Sequence, residues 1–138
     1  MPAIPGSCLC GGVRFEVEPP YIRASHCHCS RCRKHSGTYG EAQLRLPPEQ
    51  LRVLEGQELL RFWEPDDGGG RKVFCVRCGS SLFGAQWPDG EVVSVRLGAF
   101  DEDPRIRPEY RSWVSAAPAW LPLPDDGLPR HEEGVPAS

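Results

Sequence analysis

Apolar and polar side chains alternate along several short runs of this chain. The run Val13-Arg14-Phe15-Glu16-Val17 changes character at every residue, and Glu91–Leu97 gives the clearest strand signal. Because successive side chains of a strand point to opposite faces of a sheet, such runs predict β-strands. Further strands are predicted over residues 21–26, 39–46, 51–54, 59–63 and 81–87.

Helical signals along the chain are short. Residues 30–36 can form two turns of helix, with Ser30 as the N-cap and Gly37 just beyond the end, and residues 48–50 are a second candidate. Fifteen glycines and fifteen prolines are a high share and favour many turns. The sequence therefore predicts a mainly β fold with short helical turns.

The chain length and its proline pattern suggest a division of the molecule. A chain of 138 residues fits one domain with a real core. We assign residues 1–121 to a single domain and residues 122–138 to a Pro-rich, poorly ordered C-terminal tail. We expect the four tryptophans to lie in the core, and they are Trp63, Trp87, Trp113 and Trp120.

Charge and hydropathy narrow the classes of partner. The formal charge of −3 provides no basic footprint for nucleic acid. No stretch approaches the roughly 20 apolar residues of a membrane span, and Met1–Gly6 lacks the pattern of a signal peptide. We therefore expect a cytoplasmic protein that binds neither nucleic acid nor a membrane, while the oligomeric state is left open.

Seven cysteines in three tight groups are the main chemical signal. The outer groups are Cys8-Leu9-Cys10 and Cys75-Val76-Arg77-Cys78. Two such pairs, far apart in sequence, can supply the four ligands of a tetrahedral structural zinc. In a reducing compartment this spacing indicates metal binding rather than disulfides. A redox dithiol at Cys75 and Cys78, or plain buried cysteines, are the alternatives.

The inner group is Cys27-His28-Cys29-Ser30-Arg31-Cys32. Three thiolate ligands leave a fourth zinc position open for water or an incoming thiolate, which is typical of a catalytic site. Two alternatives remain. A neighbouring histidine (His26, His28 or His35) could close the site, or Cys29 and Cys32 could form a metal-free redox pair. We interpret His28 itself as a surface histidine.

Three motifs carry a resemblance to a known family, in the order Gly6–Val13, Cys27–Lys34 and Phe74–Ser80. The later segments Trp113-Val114, Pro118-Ala119-Trp120 and Leu128-Pro129 are similar to the C-terminal signature of the same family. Over roughly residues 4–130 the chain resembles the glutathione-dependent formaldehyde-activating enzyme (GFA) family, which shares a fold with the Mss4-like proteins.

The resemblance implies an Mss4-like β-tent of antiparallel strands held together by zinc. It also implies two sets of zinc ligands and assigns catalysis to the second set. The structural zinc would be bound by Cys8, Cys10, Cys75 and Cys78, and the catalytic zinc by Cys27, Cys29 and Cys32.

The activity implied by the resemblance is that of a carbon–sulfur lyase. Its substrate would be an adduct of glutathione, or another thiol, with an aldehyde, such as S-hydroxymethylglutathione. Glutathione would then be a co-substrate, and substrate choice would depend on loops such as Tyr39–Glu41 and Gly84–Pro88. A non-catalytic zinc-containing binding module and a thiol redox or metal sensor remain as alternatives.

Overall fold

The computed structural model describes residues 2–134 and consists mainly of short β-strands. In chain order the strands are β1 (Ile4–Ser7), β2 (Arg14–Val17), β3 (Arg23–Cys27), β4 (Glu41–Leu46), β5 (Leu51–Glu55), β6 (Leu60–Trp63), β7 (Arg71–Cys75), β8 (Ser81–Ala85), β9 (Val93–Arg96) and β10 (Arg111–Ser112). The α-helix of the described residues is α1 (Ser30–Ser36). Single 3-10 turns lie at Pro48–Gln50, Gln57–Leu59, Leu97–Ala99 and Val114–Ala116.

These strands form two sheets within residues 2–134. The smaller sheet has the order β1-β2-β5, and the larger has the order β10-β3-β4-β9-β8-β7-β6. The paired strands are antiparallel except β10, which runs parallel to β3. The predicted mainly β, antiparallel fold is confirmed.

The hydrophobic core lies between the two sheets. Phe15 and Val17 from the smaller sheet are almost fully buried, as are Phe83, Val93 and Val95 from the larger one. The rings of Phe15 and Phe83 meet edge to face with centroids 5.1 Å apart. The alternating pattern at residues 13–17 thus marks a strand that buries one side against its partner sheet.

The other face of the larger sheet is polar although it is buried. In β9, Ser94 and Arg96 alternate with the core valines, and all four residues are buried. Arg96 donates hydrogen bonds to Gln43 Oε1 at 2.9 Å and to Ser81 Oγ at 3.2 Å. Because these residues belong to three strands, the polar face is a tertiary feature of the sheet.

The N-cap of helix α1 lies one residue before the predicted one. The N-cap is Cys29, whose Sγ accepts a hydrogen bond from Cys32 N at 3.4 Å, and not Ser30. The predicted end is confirmed, because Gly37 adopts a left-handed conformation with φ of 79° and donates to Arg33 O. The predicted turn at residues 48–50 is also present, as a 3-10 helix.

The prediction that the four tryptophans lie in the core is wrong for three of them. Trp63 and Trp120 are 48% and 65% exposed, and Trp113 is 37% exposed. Trp87 packs against the core and stacks on Phe83 at 5.7 Å between ring centroids. The other three side chains lie on loops and a strand edge, so the apolar face of the fold does not cover them.

The C-terminal segment up to Gly134 runs beside β10. Arg111 N donates to Pro129 O, and His131 N donates to Arg111 O, each at 2.9 Å. Trp113 N also donates to Glu133 O at 3.1 Å. The predicted poorly ordered tail, residues 122–138, lies partly outside the described residues, at 135–138. The domain division at residue 121 stays a prediction.

Candidate metal centres and active site

The two outer cysteine pairs come together between the sheets. Cys8 and Cys10 lie in the turn after β1, Cys75 ends β7, and Cys78 lies in the turn before β8. Their four Sγ atoms all lie within 4.8 Å of one another. The Sγ atoms of Cys8 and Cys10 are 3.5 Å apart, and those of Cys10 and Cys75 are 3.9 Å apart.

These distances fit a tetrahedral zinc ion. Zinc bound by four sulfurs at about 2.3 Å has sulfur–sulfur edges of about 3.8 Å. Hydrogen bonds also reach the sulfurs, from Val13 N to Cys8 Sγ and from Arg77 Nε to Cys10 Sγ, both at 3.2 Å. Four cysteine sulfurs in this arrangement could hold a metal ion.

Glycines following the cysteine pairs shape the outer cluster, which comprises Cys8, Cys10, Cys75 and Cys78. Gly11 and Gly79 have φ values of 76° and 80°, a conformation that L side chains rarely adopt. Gly79 N donates to Cys75 O at 2.7 Å and so turns the chain back under the sulfurs. The Cys-Gly sequence is therefore what allows each pair to present both thiols to one point.

Hydrogen bonding and burial act in opposite directions on the outer thiols. The hydrogen bond from Arg77 lowers the pKa of Cys10, whereas burial raises the pKa of Cys75 to about 11. Burial also disfavours the Cys78 thiolate, but hydrogen bonds from Ser80 bring its pKa to about 5. Since a divalent cation requires thiolates, its binding would release the protons that the buried cysteines retain.

The inner cluster, comprising Cys27, Cys29 and Cys32, forms where β3 passes into α1. Cys27 is the last residue of β3, Cys29 is the N-cap of α1, and Cys32 lies in its first turn. Their three Sγ atoms lie within 4.8 Å of one another. Cys27 and Cys32 are buried and Cys29 is half-buried, so the cluster is reached from the Cys29 side.

The inner thiols do not share negative charge equally. The neighbouring thiols of Cys27 and Cys32 lower the pKa of Cys29 to about 2. The contact with Cys29 raises the pKa of Cys27, and the contacts with Cys27 and Cys29, together with burial, raise the pKa of Cys32. Cys29 is therefore the first of the three to become a thiolate, and it is also the most accessible.

No histidine joins the inner cluster within the part of the chain that the structure describes. His28 is fully buried, which contradicts its interpretation as a surface residue. Its Nε2 accepts a hydrogen bond from Arg111 NH1 at 3.1 Å, and its Nδ1 donates to Tyr39 O at 3.2 Å. His35 Nδ1 lies 3.4 Å from Glu41 Oε1. These histidines support the surrounding chain.

A cavity of about 160 Å³ opens beside the three inner sulfurs. Its cationic lining residues are Arg31, Arg45, Arg71, Lys72 and Arg96. Three carboxylates form ion pairs with these cations within the described residues: Asp67 with Arg31, Glu64 with Arg71, and Glu41 with both Lys72 and Arg96. Five cations against three carboxylates leave this cavity electropositive, which favours thiolates and anionic ligands.

Two tryptophans line hollows next to Arg31, which itself lines the inner cavity. One hollow of about 350 Å³ is lined by Trp63, Lys34 and Arg31, and another of about 380 Å³ is lined by Trp113, Cys29 and Arg31. The guanidinium carbon of Arg31 lies 6.0 Å from the centre of the Trp63 ring. The exposure of Trp63 and Trp113 thus places aromatic surface next to the inner cluster.

The loops expected to choose the substrate lie on different sides of the site. Ala85, from Gly84–Pro88, lines the inner cavity. Tyr39, Gly40 and Glu41 instead line a separate hollow of about 530 Å³ that also includes Cys8 of the outer cluster. Sequence reasoning included Glu41 only as part of a substrate loop and missed its pairing with Lys72 beside the inner sulfurs. It did not single out Lys72, whose only signal is a charge shortly before a cysteine pair.

The sequence matches the profile of a known family. Residues 3–116 match the family described as "Glutathione-dependent formaldehyde-activating enzyme". The chain therefore belongs to the GFA family, as its cysteine motifs indicate. None of the described helices is both long and apolar enough to cross a membrane.

One curated relative and one solved structure are similar to this chain. A Halomonas elongata protein named "Putative glutathione-dependent formaldehyde-activating enzyme" is 32% identical over 139 residues, which cover 95% of this chain and 87% of the relative. The crystal structure of a Rhodobacter sphaeroides protein is similar at 27% identity with a TM-score of 0.60. That similarity covers 74% of this chain and 93% of the other.

Proposed function

We propose that this protein is a zinc-dependent carbon–sulfur lyase. Its substrate would be an adduct of a thiol with an aldehyde, such as S-hydroxymethylglutathione. The observation that carries the proposal is the inner cluster, in which three sulfurs within 4.8 Å of one another face a cavity lined by cations. Membership of the GFA family and the name of the Halomonas relative support this substrate class.

One proposed set of zinc ligands stabilises the fold, and the other takes part in the reaction. Cys8, Cys10, Cys75 and Cys78 would bind a structural zinc, and Cys27, Cys29 and Cys32 a second, catalytic zinc. Zinc held by three thiolates keeps a fourth position open and holds an incoming thiol as its thiolate at neutral pH. The half-buried Cys29 faces the side from which such a thiol can enter.

The proposed reaction needs no further reactant. In the lyase direction the carbon–sulfur bond of the adduct breaks, and its electron pair stays on sulfur. The hydroxyl oxygen forms the carbonyl of the released aldehyde, and its proton ends on the thiol. In the reverse direction the thiolate attacks the aldehyde carbon and the resulting alkoxide takes up the proton. The electropositive cavity would stabilise the sulfur anion in both directions.

Exchange spectroscopy can test this function. NMR exchange between free glutathione, formaldehyde and their adduct reports turnover above the spontaneous rate. We expect the wild-type protein to accelerate exchange and Cys29→Ser to lose that acceleration while retaining one zinc. Ser36→Ala, at the exposed end of α1, is the matched control and should keep the wild-type rate.

The outcome of that experiment separates enzyme from binding module. A Cys29→Ser variant with the full exchange rate would contradict the proposed role of the inner cluster. A wild-type protein with two zinc ions but no acceleration with glutathione or other small thiols would contradict the lyase activity itself.

A thiol redox sensor is a second candidate, and one observation favours it. Cys29 has a strongly lowered pKa, is half-buried, and lies beside two further thiols. Such a thiolate reacts readily with peroxides, and a neighbouring thiol can resolve the product as a disulfide. The sensor predicts reversible loss of two inner thiols under mild peroxide while the outer zinc stays bound. Irreversible oxidation, or no oxidation, would exclude it.

A further inference from the structure

Lys72 contacts the inner cluster from within the protein. Its Nζ donates a hydrogen bond to Cys32 Sγ at 3.0 Å. The side chain is 9% exposed and comes from β7, which is far from the three inner cysteines in sequence. A buried ammonium group is costly unless it has partners, so its position beside a sulfur requires a physical reason.

Glu41 holds Lys72 in this position. Glu41 Oε2 accepts a hydrogen bond from Lys72 Nζ at 3.1 Å and lies 3.1 Å from Arg96 NH2. Its side chain is only 3% exposed. Two buried cations against one carboxylate leave an excess positive charge next to Cys32.

We propose that Lys72 is a positioning residue of the inner metal site. Held by Glu41, it hydrogen-bonds to Cys32 and compensates the negative charge of the three thiolates, so that zinc binds there more tightly than to the cysteines alone. This inference rests on the inner zinc of the proposed function and adds Lys72 and Glu41 to the site.

Charge balance explains the effect. One zinc ion with three thiolates carries a net negative charge, which is unfavourable in a buried place without compensation. The excess positive charge of Lys72 and Arg96 over Glu41 offsets it. Hydrogen-bonding partners behind metal ligands also fix the ligand orientation, and their loss usually weakens metal affinity by about 10–100-fold.

The test compares zinc affinities in variants of the full chain. Protein loaded with zinc is titrated with a chromophoric chelator, and the dissociation constant of each zinc ion is measured. We expect Lys72→Met to weaken the inner zinc by about 10–100-fold and to leave the outer zinc unchanged. Lys72→Arg, which keeps the charge, should restore most of the affinity.

Lys34→Met is the matched control. Lys34 is an exposed residue of α1 that does not contact a sulfur, and its replacement by methionine removes the same charge near the inner cluster. Its inner zinc should keep the wild-type affinity. Equal inner affinities in wild type and Lys72→Met, or equal losses in Lys34→Met and Lys72→Met, would overturn the role of Lys72.

The result is separable from that of the lyase assay. A wild-type protein that binds only the outer zinc would overturn both the catalytic zinc and this inference. Two zinc ions with the expected loss in Lys72→Met would support the inference even if no lyase activity is found.

A measurement on the wild-type protein remains informative if Lys72→Met does not fold. Lys34 and Lys72 are the two lysines of the chain, so ¹⁵N-lysine labelling gives two side-chain signals. Loading the inner site should shift the Lys72 ammonium signal and leave that of Lys34 in place. An unchanged Lys72 signal would overturn the proposal.

Discussion

The absence of a side chain at Gly40 determines where the segment that carries the inner cluster can lie. A Cβ atom at this residue would overlap with Cys27 O and would lie 3.2 Å from His28 Cα. Both neighbours are backbone atoms and have little room to move. Because Gly40 has no side chain, β4 can pair with β3 up to Cys27, the last residue of β3 and the first of the inner cluster.

Replacing Gly40 with alanine should disturb the inner site first. We expect Gly40→Ala to lower the free energy of unfolding by about 1–3 kcal/mol, because overpacking against backbone forces the chain apart. The shift of Cys27 should also weaken binding of the proposed inner zinc. Thermal unfolding and chelator titration measure the two effects.

Gly98→Ala is the matched control for this change. No heavy atom outside its immediate neighbours lies within 4 Å of a Cβ at Gly98. Its stability and zinc content should equal those of the wild type. A Gly40→Ala protein that behaves like Gly98→Ala would show that the loop tolerates the extra atom.

At the scale of elements, β10 and the C-terminal segment contact the chain between Cys27 and Cys29 through His28. Arg111 in β10 donates to His28 Nε2 at 3.1 Å and to Asp126 Oδ2 at 2.6 Å. Arg111 is 5% exposed and Asp126 is 33% exposed. The segment after residue 122 thus reaches the inner site through one buried guanidinium group.

Asp126→Asn should reduce stability in a pH-dependent way. The hydrogen bond from Arg111 lowers the pKa of Asp126 below its usual value, which is about 3.9 in unfolded chains. A carboxyl with a lowered folded-state pKa stabilises the fold above that unfolded value and loses this effect as the pH falls through its folded pKa. The wild type should therefore have a higher Tm than Asp126→Asn at neutral pH.

The Tm difference should shrink as the pH falls below about 4. Thermal unfolding of both proteins across this pH range measures it, and the comparison cancels effects common to both, such as zinc release in acid. Asp125→Asn changes the neighbouring exposed carboxylate and is the matched control, which should keep the wild-type Tm at neutral pH. A constant difference across the range would contradict the ion pair with Arg111 as its source.

At the scale of the whole molecule, the outer cluster connects the two sheets. Cys8 and Cys10 follow β1 of the smaller sheet, while Cys75 and Cys78 come from the β7–β8 region of the larger one. A structural zinc in small domains has an apparent binding free energy of about 10–16 kcal/mol. Whole domains are stable by only about 5–15 kcal/mol. If the outer cluster binds the proposed structural zinc, much of the stability of this fold would therefore come from that site.

Removing the proposed outer zinc should therefore abolish cooperative unfolding. We expect Cys10→Ser, or exhaustive chelation of the wild type, to give a loosened protein with no sharp thermal transition by circular dichroism. Cys29→Ser, which changes only the inner cluster, should keep a sharp transition. A chelated protein that unfolds at the wild-type Tm would show that the core between the sheets is sufficient.

The spacing of the cysteines by itself indicated both clusters. Cysteines separated by one or two residues can present their thiols to one point because the turn between them is local, and glycines such as Gly79 complete the turn. The two outer pairs meet across 65 residues only because the two sheets pack together. Alternation at residues 13–17 and Gly37 beyond α1 likewise indicated local structure correctly, since both depend on near neighbours in the chain.

Only the tertiary structure decided what surrounds the clusters. Lys72 meets Cys32 across 40 residues, and Arg111 meets His28 across 83. The burial of His28 and the exposure of Trp113 depend on which strands become neighbours. Burial and charge pairing are properties of several distant segments together, so no local pattern of residues specifies them.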